Sequence, residues 1–527
     1  MPNNYKGLNI AGLKSTTKLS RVQVEPTIDF VEITERGLIS ENPSKLRTAG
    51  AGHQKRSNAS PKSAVGTSID MGGLWEPASE YDYGNVSADA FVVEENSRWS
   101  VRRKLMNSSA AISVDWSNIT LEHTLDNPNP FGTSENDQFG MAVAMSSTHA
   151  IIGAEFEDDA DGTTSGKAYI FDVTTGSLLY TLDNPNPVGT SLDDKFAHMV
   201  AISNTYAMVG AFQEEETPQD LSSGKVYIYD LADGSLIKTL INRNPDGNYF
   251  GDLFGFSVAI SNTHAIVGAW GEDWGPSATG AAYIYNISSD GLFSQPIIIA
   301  NPTAAGSAYF GWSVALSDNY AIVSAPNEND ANGSYSGKAH IFNLSDGSLV
   351  YTLDNPNAYG TSGADQIGSM GIYHSPSQVA INENYAVVGA PWEDDAGGDG
   401  AGKVYVWDMS DGSLAYTLDN PNAFGTSEYD HFGLSVAIDG DNILIVGAPY
   451  EDDDVSNSYP GKAYIFDLTD GSLVNTIDDP NAFGTSAGDR FGHAVAISDG
   501  RALISASRED DGSGTSANSS GKAYIFK

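Results

Sequence analysis

Two recurring groups of carboxylates are the residues of this 527-residue chain that could do chemistry. The first group is a set of short acidic runs after apolar stretches, at residues 157–159, 214–216, 272–273, 393–395, 451–453 and 509–511. The second is an aspartate two residues before a Phe-Gly pair or its equivalent: Asp137, Asp194, Asp252, Asp365, Asp430 and Asp489, with Ala308 breaking the series. Clustered carboxylates bind Ca²⁺, and a carboxylate pair can hydrolyse glycosides. Because they recur in almost every repeat, we expect a scaffold role rather than a single catalytic pair.

Other catalytic signatures give little support for an enzyme. There is no cysteine nucleophile, and the nine histidines show no H-x-x-x-H spacing. We therefore predict no enzyme activity and assign no catalytic, cofactor-binding or metal-binding residue. For the aspartates before Phe-Gly, we favour hydrogen bonds from backbone N–H groups in turns, with bound calcium as the alternative.

The composition excludes several kinds of protein. The chain has 68 Asp and Glu residues against 27 Lys and Arg, a net charge of −41 that repels nucleic acid and anionic membranes. It contains no run of eighteen apolar residues that could span a membrane. The charge is uneven: residues 1–118 carry 14 basic and 13 acidic side chains, whereas residues 119–527 carry 13 and 55. This change in composition places a domain boundary between residues 118 and 119.

Three phrases recur seven times after residue 119 and define a repeat. Variants of Gly-Lys-Ala-Tyr-Ile-Phe begin at Gly166, Gly224, Gly280, Gly337, Gly402, Gly461 and Gly521. The Phe-Gly phrase begins at Phe139, Phe196, Phe254, Phe310, Ile367, Phe432 and Phe491. A Gly-Ala or Ser-Ala pair begins at Gly153, Gly210, Gly268, Ser324, Gly389, Gly447 and Ser505. Such a period indicates a repeat architecture.

One repeat predicts four strands. FGMAVAMS, HAIIGA, KAYIFDV and SLLYTLDN are short, apolar or aromatic segments bounded by Gly, Asp and Asn. Their nearly continuous apolar runs are typical of a sheet covered on both faces. Seven four-stranded sheets packed radially form an all-β, seven-bladed β-propeller.

The ends of the repeat region predict a closed ring. The last repeat stops after KAYIFK without a fourth strand, and a spare copy, ITLEHTLDN, lies at residues 119–127. We expect residues 119–127 to complete the seventh blade. The predicted domains are an extended, partly irregular N-terminal arm at residues 1–118 and the propeller at residues 119–527.

The phrases DQFGMAVAMS, HAIIGAEFEDD and SGKAYIF resemble FG-GAP repeats, the units of the integrin α-subunit propeller. They are similar also to repeats of bacterial and marine-phage surface proteins. The resemblance implies a seven-bladed propeller with a binding role outside the cell or on a virion. Integrin-type repeats often hold Ca²⁺ in a D-x-D-x-D-G loop between the first two strands. Here that connection is as short as SSTH or SNTY, so the family's calcium loop is absent from its usual place.

The loop lengths predict two different faces of the ring. The second–third loops and the blade-to-blade loops open on one face and are long and acidic, whereas the other face has only tight turns. Loops on a rigid scaffold usually carry function, so the long-loop face is the candidate surface for a host-surface glycan or protein. Lys167, Lys225, Lys338, Lys403, Lys462 and Lys522 are expected to neutralise the acidic loops. Blade five has an insertion at residues 368–378, where Tyr373 and His374 could meet a ligand if the loop has a role.

The N-terminal segment suggests an assembly. Residues 27–39 read as a strand or hairpin, residues 49–68 have the composition of a linker or arm, and no signal peptide is visible. We predict a non-enzymatic virion structural protein of a tailed phage that binds other virion subunits through residues 1–118. The alternative is a secreted bacterial adhesin or calcium-dependent binding module at the cell surface, and a polysaccharide-acting enzyme is the third hypothesis.

Overall fold

The computed structural model divides the chain into two compact units, Met1–Ser113 and Val114–Lys527. In the first unit the structure describes only the backbone of six strands. In the second it describes residues 114–128, 136–158, 165–185, 194–215, 222–242, 251–272, 279–303, 307–329, 335–356, 365–368, 378–394, 400–421, 429–452, 459–480, 488–510 and 519–527. No helix in these described parts is long and apolar enough to cross a membrane.

The first unit contains a two-stranded and a four-stranded sheet. The strands are Tyr5–Lys6, Gln23–Val24, Phe30–Thr34, Gly37–Ile39, Ala90–Glu95 and Arg98–Arg103. Phe30–Thr34 and Gly37–Ile39 pair antiparallel, which confirms the hairpin predicted for residues 27–39. The predicted linker at residues 49–68 lies outside the described residues.

The second unit is a seven-bladed β-propeller with four antiparallel strands in each blade. The first strands are Ala142–Met145, Phe196–Ile202, Ser257–Ile260, Val314–Leu316, Val379–Ile381, Ser435–Ile438 and Phe491–Ser498. The second strands are His149–Ala154, Tyr206–Ala211, His264–Ala269, Tyr320–Ala325, Tyr385–Ala390, Ile443–Ala448 and Arg501–Ala506. The third strands are Lys167–Asp172, Lys225–Asp230, Ala281–Asn286, Lys338–Asn343, Lys403–Asp408, Lys462–Asp467 and Lys522–Phe526. The fourth strands of blades one to six are Leu178–Asp183, Leu236–Ile241, Ile297–Ala300, Leu349–Asp354, Leu414–Asp419 and Ser472–Asp478.

Burial along the strands follows the sequence pattern. The second strands are buried over at least five consecutive residues, as in His149–Ala154, because each blade is covered on both faces. The fourth strands lie at the rim and leave most side chains exposed or half-buried, as in Leu178–Asp183. Apolar side chains meet between blades, where Ile445 and Ile465 of blade six pack with Ile504 of blade seven.

The ring closes as predicted. Each first strand contacts the first strand of the next blade, and Phe491–Ser498 contacts Ala142–Met145. Leu121–Asp126 pairs antiparallel with Lys522–Phe526 as the fourth strand of blade seven. The backbones of Thr120 and Lys527 exchange two hydrogen bonds of 2.9 and 3.0 Å. The short 3₁₀ turn Trp116–Asn118 precedes this strand, and Trp116 is buried against blades six and seven.

Glycines of the Phe-Gly and Gly-Ala phrases allow neighbouring blades to approach closely. A Cβ atom on Gly447 of blade six would lie 1.9 Å from the carbonyl oxygen of Gly492 of blade seven. Between blades seven and one, Ser505 replaces the Gly-Ala glycine, and Gly140 faces its Cβ. The two phrases recur together because their residues form the contact between blades.

The register places all the long connections at one edge of each blade. In blade one, Lys167 at the start of the third strand is opposite both Ala154, at the end of the second, and Asp183, at the end of the fourth. We call this edge of the ring the long-loop face, as predicted. The opposite edge carries the tight turns, such as that between Asp172 and Ser177.

Candidate functional site

Four side chains meet at most of the blade junctions on the long-loop face. An asparagine follows the fourth strand of one blade. The next blade supplies an aspartate before its first strand, a glutamate after its second strand and a tyrosine in its third strand. The four-residue sets of blades one, two, three, five and six are Asn127/Asp137/Glu157/Tyr169, Asn184/Asp194/Glu214/Tyr227, Asn242/Asp252/Glu272/Tyr283, Asn355/Asp365/Glu393/Tyr405 and Asn420/Asp430/Glu451/Tyr464. We call each set a junction set.

A hydrogen bond joins the asparagine to the aspartate in each of these junction sets. In these five blades the asparagine Nδ2 donates to the aspartate Oδ2 at 2.6–3.0 Å. In blade three, Asn242 also donates to Glu272, and the Tyr283 hydroxyl donates to Glu272 Oε2 at 2.6 Å. The aspartates therefore have a side-chain amide partner that the predicted role, acceptance from backbone N–H groups, did not include. Sequence reasoning missed this asparagine because it lies ten residues upstream and belongs to the preceding blade.

The first glutamate of each acidic run is buried rather than displayed. Glu157, Glu214, Glu272, Glu393, Glu451 and Glu509 are fully buried and Glu328 is 2 % exposed. Burial raises the pKa of Glu157 to about 7, against a smaller lowering by the hydrogen bond from Tyr169. The prediction that the acidic runs lie on the loop surface is therefore wrong for their first residue, which anchors the loop to the blade.

The recurring lysines form ion pairs mainly along the third and fourth strands. Lys167, Lys338, Lys403, Lys462 and Lys522 bind the aspartate that ends the fourth strand, namely Asp183, Asp354, Asp419, Asp478 and Asp126. In blade two, where Ile241 takes the aspartate's place, Lys225 binds Glu214 at 2.8 Å. Contact with a loop glutamate, the predicted role, is seen for Lys225 and, at 3.8 Å, for Lys338.

The residue between the junction aspartate and Phe-Gly has a left-handed backbone in every blade. Its φ is 49–60° at Gln138, Lys195, Leu253, Tyr309, Gln366, His431 and Arg490. In several blades its side chain contacts the preceding blade. Lys195 lies 4.1 Å from the ring centroid of Phe156, and Gln366 donates to Asn327 at 2.8 Å. The residue type varies between blades, so the sequence pattern gave no signal for this position.

In blades six and seven this position, occupied by His431 and Arg490, builds a continuous aromatic surface with residues of blades five and six. The His431 ring lies 4.3 Å from Trp392, 5.2 Å from Tyr450 and 6.3 Å from Tyr429. The Tyr450 ring lies 6.0 Å from the Tyr459 ring. The Arg490 guanidinium lies 4.7 Å from the centroid of the Tyr450 ring. We call Trp392, Tyr429, His431, Tyr450, Tyr459 and Arg490 the aromatic patch. Tyr429 and Tyr459 are 49 % and 39 % exposed, so the patch reaches solvent.

A second aromatic cluster lies across blades three and four and is less exposed. The Trp270 ring lies 4.7 Å from Tyr309 and 5.3 Å from Trp312, and Phe256 lies 4.8 Å from Trp312. All four side chains are half-buried. Their packing joins blades three and four, which favours a structural role.

Comparison with protein families gives one result that covers all seven blades. The model described as FG-GAP repeat matches residues 132–171, 189–229, 245–285, 294–342, 376–407, 423–466 and 482–526. The chain belongs to the FG-GAP repeat family. No curated protein matches the chain. Each FG-GAP match ends within the third strand of a blade. In blades one, two, three, six and seven the match contains the junction aspartate, glutamate and tyrosine together, whereas in blade five it begins at residue 376, after Asp365.

Blade four departs from the FG-GAP junction set by losing a carboxylate. Ala308 takes the place of the aspartate, and His340 takes the place of the tyrosine. His340 Nε2 lies 3.1 Å from Glu328 Oε2. Burial raises the pKa of Glu328, but the hydrogen bond and charge of His340 outweigh it and hold the pKa below its usual value. This junction therefore has one carboxylate fewer than the junction sets and a histidine in contact with its glutamate.

Blade seven departs from the FG-GAP junction set by gaining a carboxylate. Its junction set is Asp479, Asp489, Glu509 and Tyr524, with an aspartate where the six other junctions have asparagine. One oxygen from each of the three carboxylates lies within 4.8 Å of the others, the one such group in the described part of the chain that could hold a metal ion. Burial raises the pKa of Asp489 to about 9, and the charge of Asp479 adds to that rise.

The remaining predicted features lie outside the described residues. Of the blade-five insertion 368–378, the structure describes only Gly368 and Gln378, so Tyr373 and His374 stay untested. The acidic runs are described only over their first one or two residues.

Proposed function

We propose that this FG-GAP propeller is a non-enzymatic binding module that holds a glycan on its aromatic patch. FG-GAP propellers are generally binding or adhesion modules, which makes the long-loop face the surface to consider. The observation that carries the proposal is the continuous row of rings from Trp392 through His431 and Tyr450 to Tyr459.

The chemistry of the patch suits a sugar. The C–H face of a pyranose packs against an aromatic ring, while its hydroxyls need polar partners close by. Tyr429 and Tyr459 offer exposed rings with a polar tip. Arg490 adds guanidinium donors beside Tyr450. Burial lowers the pKa of His431, which favours a neutral imidazole there.

The position of the patch suits recognition. Trp392 and Tyr450 lie two residues after the ends of second strands, while His431 and Arg490 immediately precede Phe-Gly. The His431 Nδ1 is fixed to the Pro391 carbonyl at 2.9 Å. Because the rings stand on strand ends rather than on long loops, little conformational entropy is lost when a ligand orders them.

A non-catalytic role is supported by the junction carboxylates. They recur in the blades and are buried in hydrogen bonds with asparagine and tyrosine, as Asp430 with Asn420 and Glu451 with Tyr464. Groups held in this way in successive blades stabilise the scaffold. We therefore assign glycan contact to the aromatic patch and not to these acids.

The test is glycan binding by matched tyrosine variants. Tyr459 and Tyr335 occupy equivalent positions, two residues before the Gly-Lys glycine, but Tyr335 lies in blade four, outside the patch, and is 52 % exposed. A glycan array with the full chain identifies a ligand, and calorimetry then measures its affinity for each variant. We expect Tyr459→Ala to weaken binding at least about tenfold, a loss of about 1.4 kcal/mol, and Tyr335→Ala to leave it unchanged. Equal affinities of both variants, or an array without any bound glycan, would contradict the proposal.

We further propose that the protein is a virion component anchored through residues 1–118. The support is the contrast between a near-neutral segment, with 14 basic and 13 acidic side chains, and a propeller region with 13 and 55. Mass spectrometry of purified particles should find the chain, and deletion of residues 1–113 should abolish its incorporation while the propeller remains folded. Incorporation of the truncated chain would contradict the anchor. Recovery of the full chain only from culture medium would support the alternative, a secreted adhesin.

A further inference from the structure

The junction between blades six and seven lacks a hydrogen-bond donor that the other junctions have. In five blades the junction aspartate is buried and its Oδ2 accepts the amide of an asparagine. Asp479 occupies the asparagine position in the seventh set and, as a carboxylate, has no proton to donate. At this junction a carboxylate of Asp479 therefore faces the carboxylate of Asp489, where the other sets pair an amide donor with a carboxylate acceptor.

Asp489 shows the consequence of this exchange. Its side chain is only 4 % exposed, and its buried Oδ2, the oxygen that accepts the amide elsewhere, has no hydrogen-bond donor among the described residues. An unsatisfied buried carboxylate oxygen is costly unless a cation or proton meets it. Six repeats built on the same backbone show that the fold itself does not require this arrangement.

Two neighbouring carboxylates lie close to the Asp489 carboxylate. Glu509 is fully buried and accepts a hydrogen bond from the Tyr524 hydroxyl, and Asp479 is half-buried at the end of the blade-six fourth strand. One oxygen of each of the three residues lies within 4.8 Å of the others. Oxygens around Ca²⁺ lie at about 2.4 Å from the ion, so opposite ligands are separated by about twice that distance. The three oxygens thus fit within a single calcium coordination sphere.

We propose that Asp479, Asp489 and Glu509 bind a calcium ion at the junction of blades six and seven. The three carboxylates supply hard oxygen ligands, which favour Ca²⁺ over softer metals. Water completes the coordination, and it can enter past the half-buried Asp479. This site is at the blade junction and not in the hairpin between the first two strands, where the resemblance to integrin repeats places calcium.

The test is the effect of calcium on thermal unfolding of the full chain, measured at pH 8 after removal of metal with a chelator. We expect micromolar to millimolar CaCl₂ to raise the Tm of the wild type by several degrees and calorimetry to show about one site. Asp479→Asn introduces the side chain that the six other junctions have at this position. This variant should lose the calcium response, and in chelator it should melt at or above the wild-type Tm.

A matched control separates a specific site from general screening of a polyanion. Asp411→Asn removes one carboxylate from an exposed turn of blade five, and this variant should keep the full calcium response. Terbium emission excited through tyrosine gives a second readout, since Tyr524 binds Glu509. A wild-type Tm that calcium does not move, or an equal shift in Asp479→Asn, would overturn the proposal. The first result would assign a shared proton to the Asp479–Asp489 pair instead.

Discussion

At the scale of single residues, the buried glutamates make stability depend on pH. Glu157 is fully buried, and burial raises its pKa to about 7, whereas the unfolded chain titrates near 4.3. The folded state therefore retains a proton that the unfolded state has released. The stabilisation that comes from this retained proton is complete below about pH 4 and is lost as the pH rises through 7.

Glu157→Gln should remove this dependence, because the amide keeps an acceptor for the Tyr169 hydroxyl and does not titrate. We expect the wild type to lose, relative to the variant, on the order of 2 kcal/mol between pH 5 and pH 8. Urea unfolding at both pH values measures the difference. Hydrogen bonds from Ser413 lower the pKa of Asp411, so Asp411→Asn should show no such change over this range. Parallel pH profiles of wild type and Glu157→Gln would contradict the assignment.

The sequence predicted which residues recur but not which of them touch. Asp137 and its equivalents were identified from their spacing to Phe-Gly, yet their asparagine partners lie across a connection of variable sequence. The burial of Glu157 was also missed, because a glutamate followed by two aspartates has the composition of a surface loop. The contacts depend on the angle between blades, which sequence periodicity does not report.

At the scale of elements, the glycines at the junctions set the distance between blades. The strands themselves were predictable, because HAIIGA and KAYIFD are continuous apolar runs that match buried strands. The close approach of neighbouring blades at the glycines was harder to predict from the sequence. The Gly447 Cα faces the Gly492 carbonyl, and no other residue fits there without moving one blade.

Gly447→Ala should therefore destabilise the propeller by about 3 kcal/mol or more, since the new Cβ would lie 1.9 Å from a backbone oxygen. Gly440→Ala is the matched control in the same blade, because a Cβ there meets no atom within 4 Å. Denaturant unfolding of both variants measures the effect. A similar loss in both would mean that the junction adapts to a methyl group.

At the scale of the whole molecule, stability depends on joining the two ends of the propeller region. The fourth strand of blade seven, Leu121–Asp126, comes from the other end of the repeat region. Leu125 is 1 % exposed, Asp126 binds Lys522, and Glu122 binds Arg501 at 2.7 Å. Closure was predictable because the sequence shows one missing strand and one spare copy. The contact of Trp116 with blades six and seven was not, because it precedes the repeat.

Removal of this strand tests how much closure contributes. A chain of residues 114–527 keeps the whole compact unit and should retain the Tm of the full propeller. A chain of residues 128–527 leaves the strand Lys522–Phe526 as an open edge, and the loss of Leu125 burial alone costs about 2 kcal/mol. We expect a clear drop in Tm and faster hydrogen exchange in blade seven, with smaller changes in blades three and four, which are far from the closure along the ring. An unchanged Tm for residues 128–527 would show that the seven first strands hold the ring closed without Leu121–Asp126. A uniform loss in all blades would instead show that the propeller unfolds as one cooperative unit once its closure is broken.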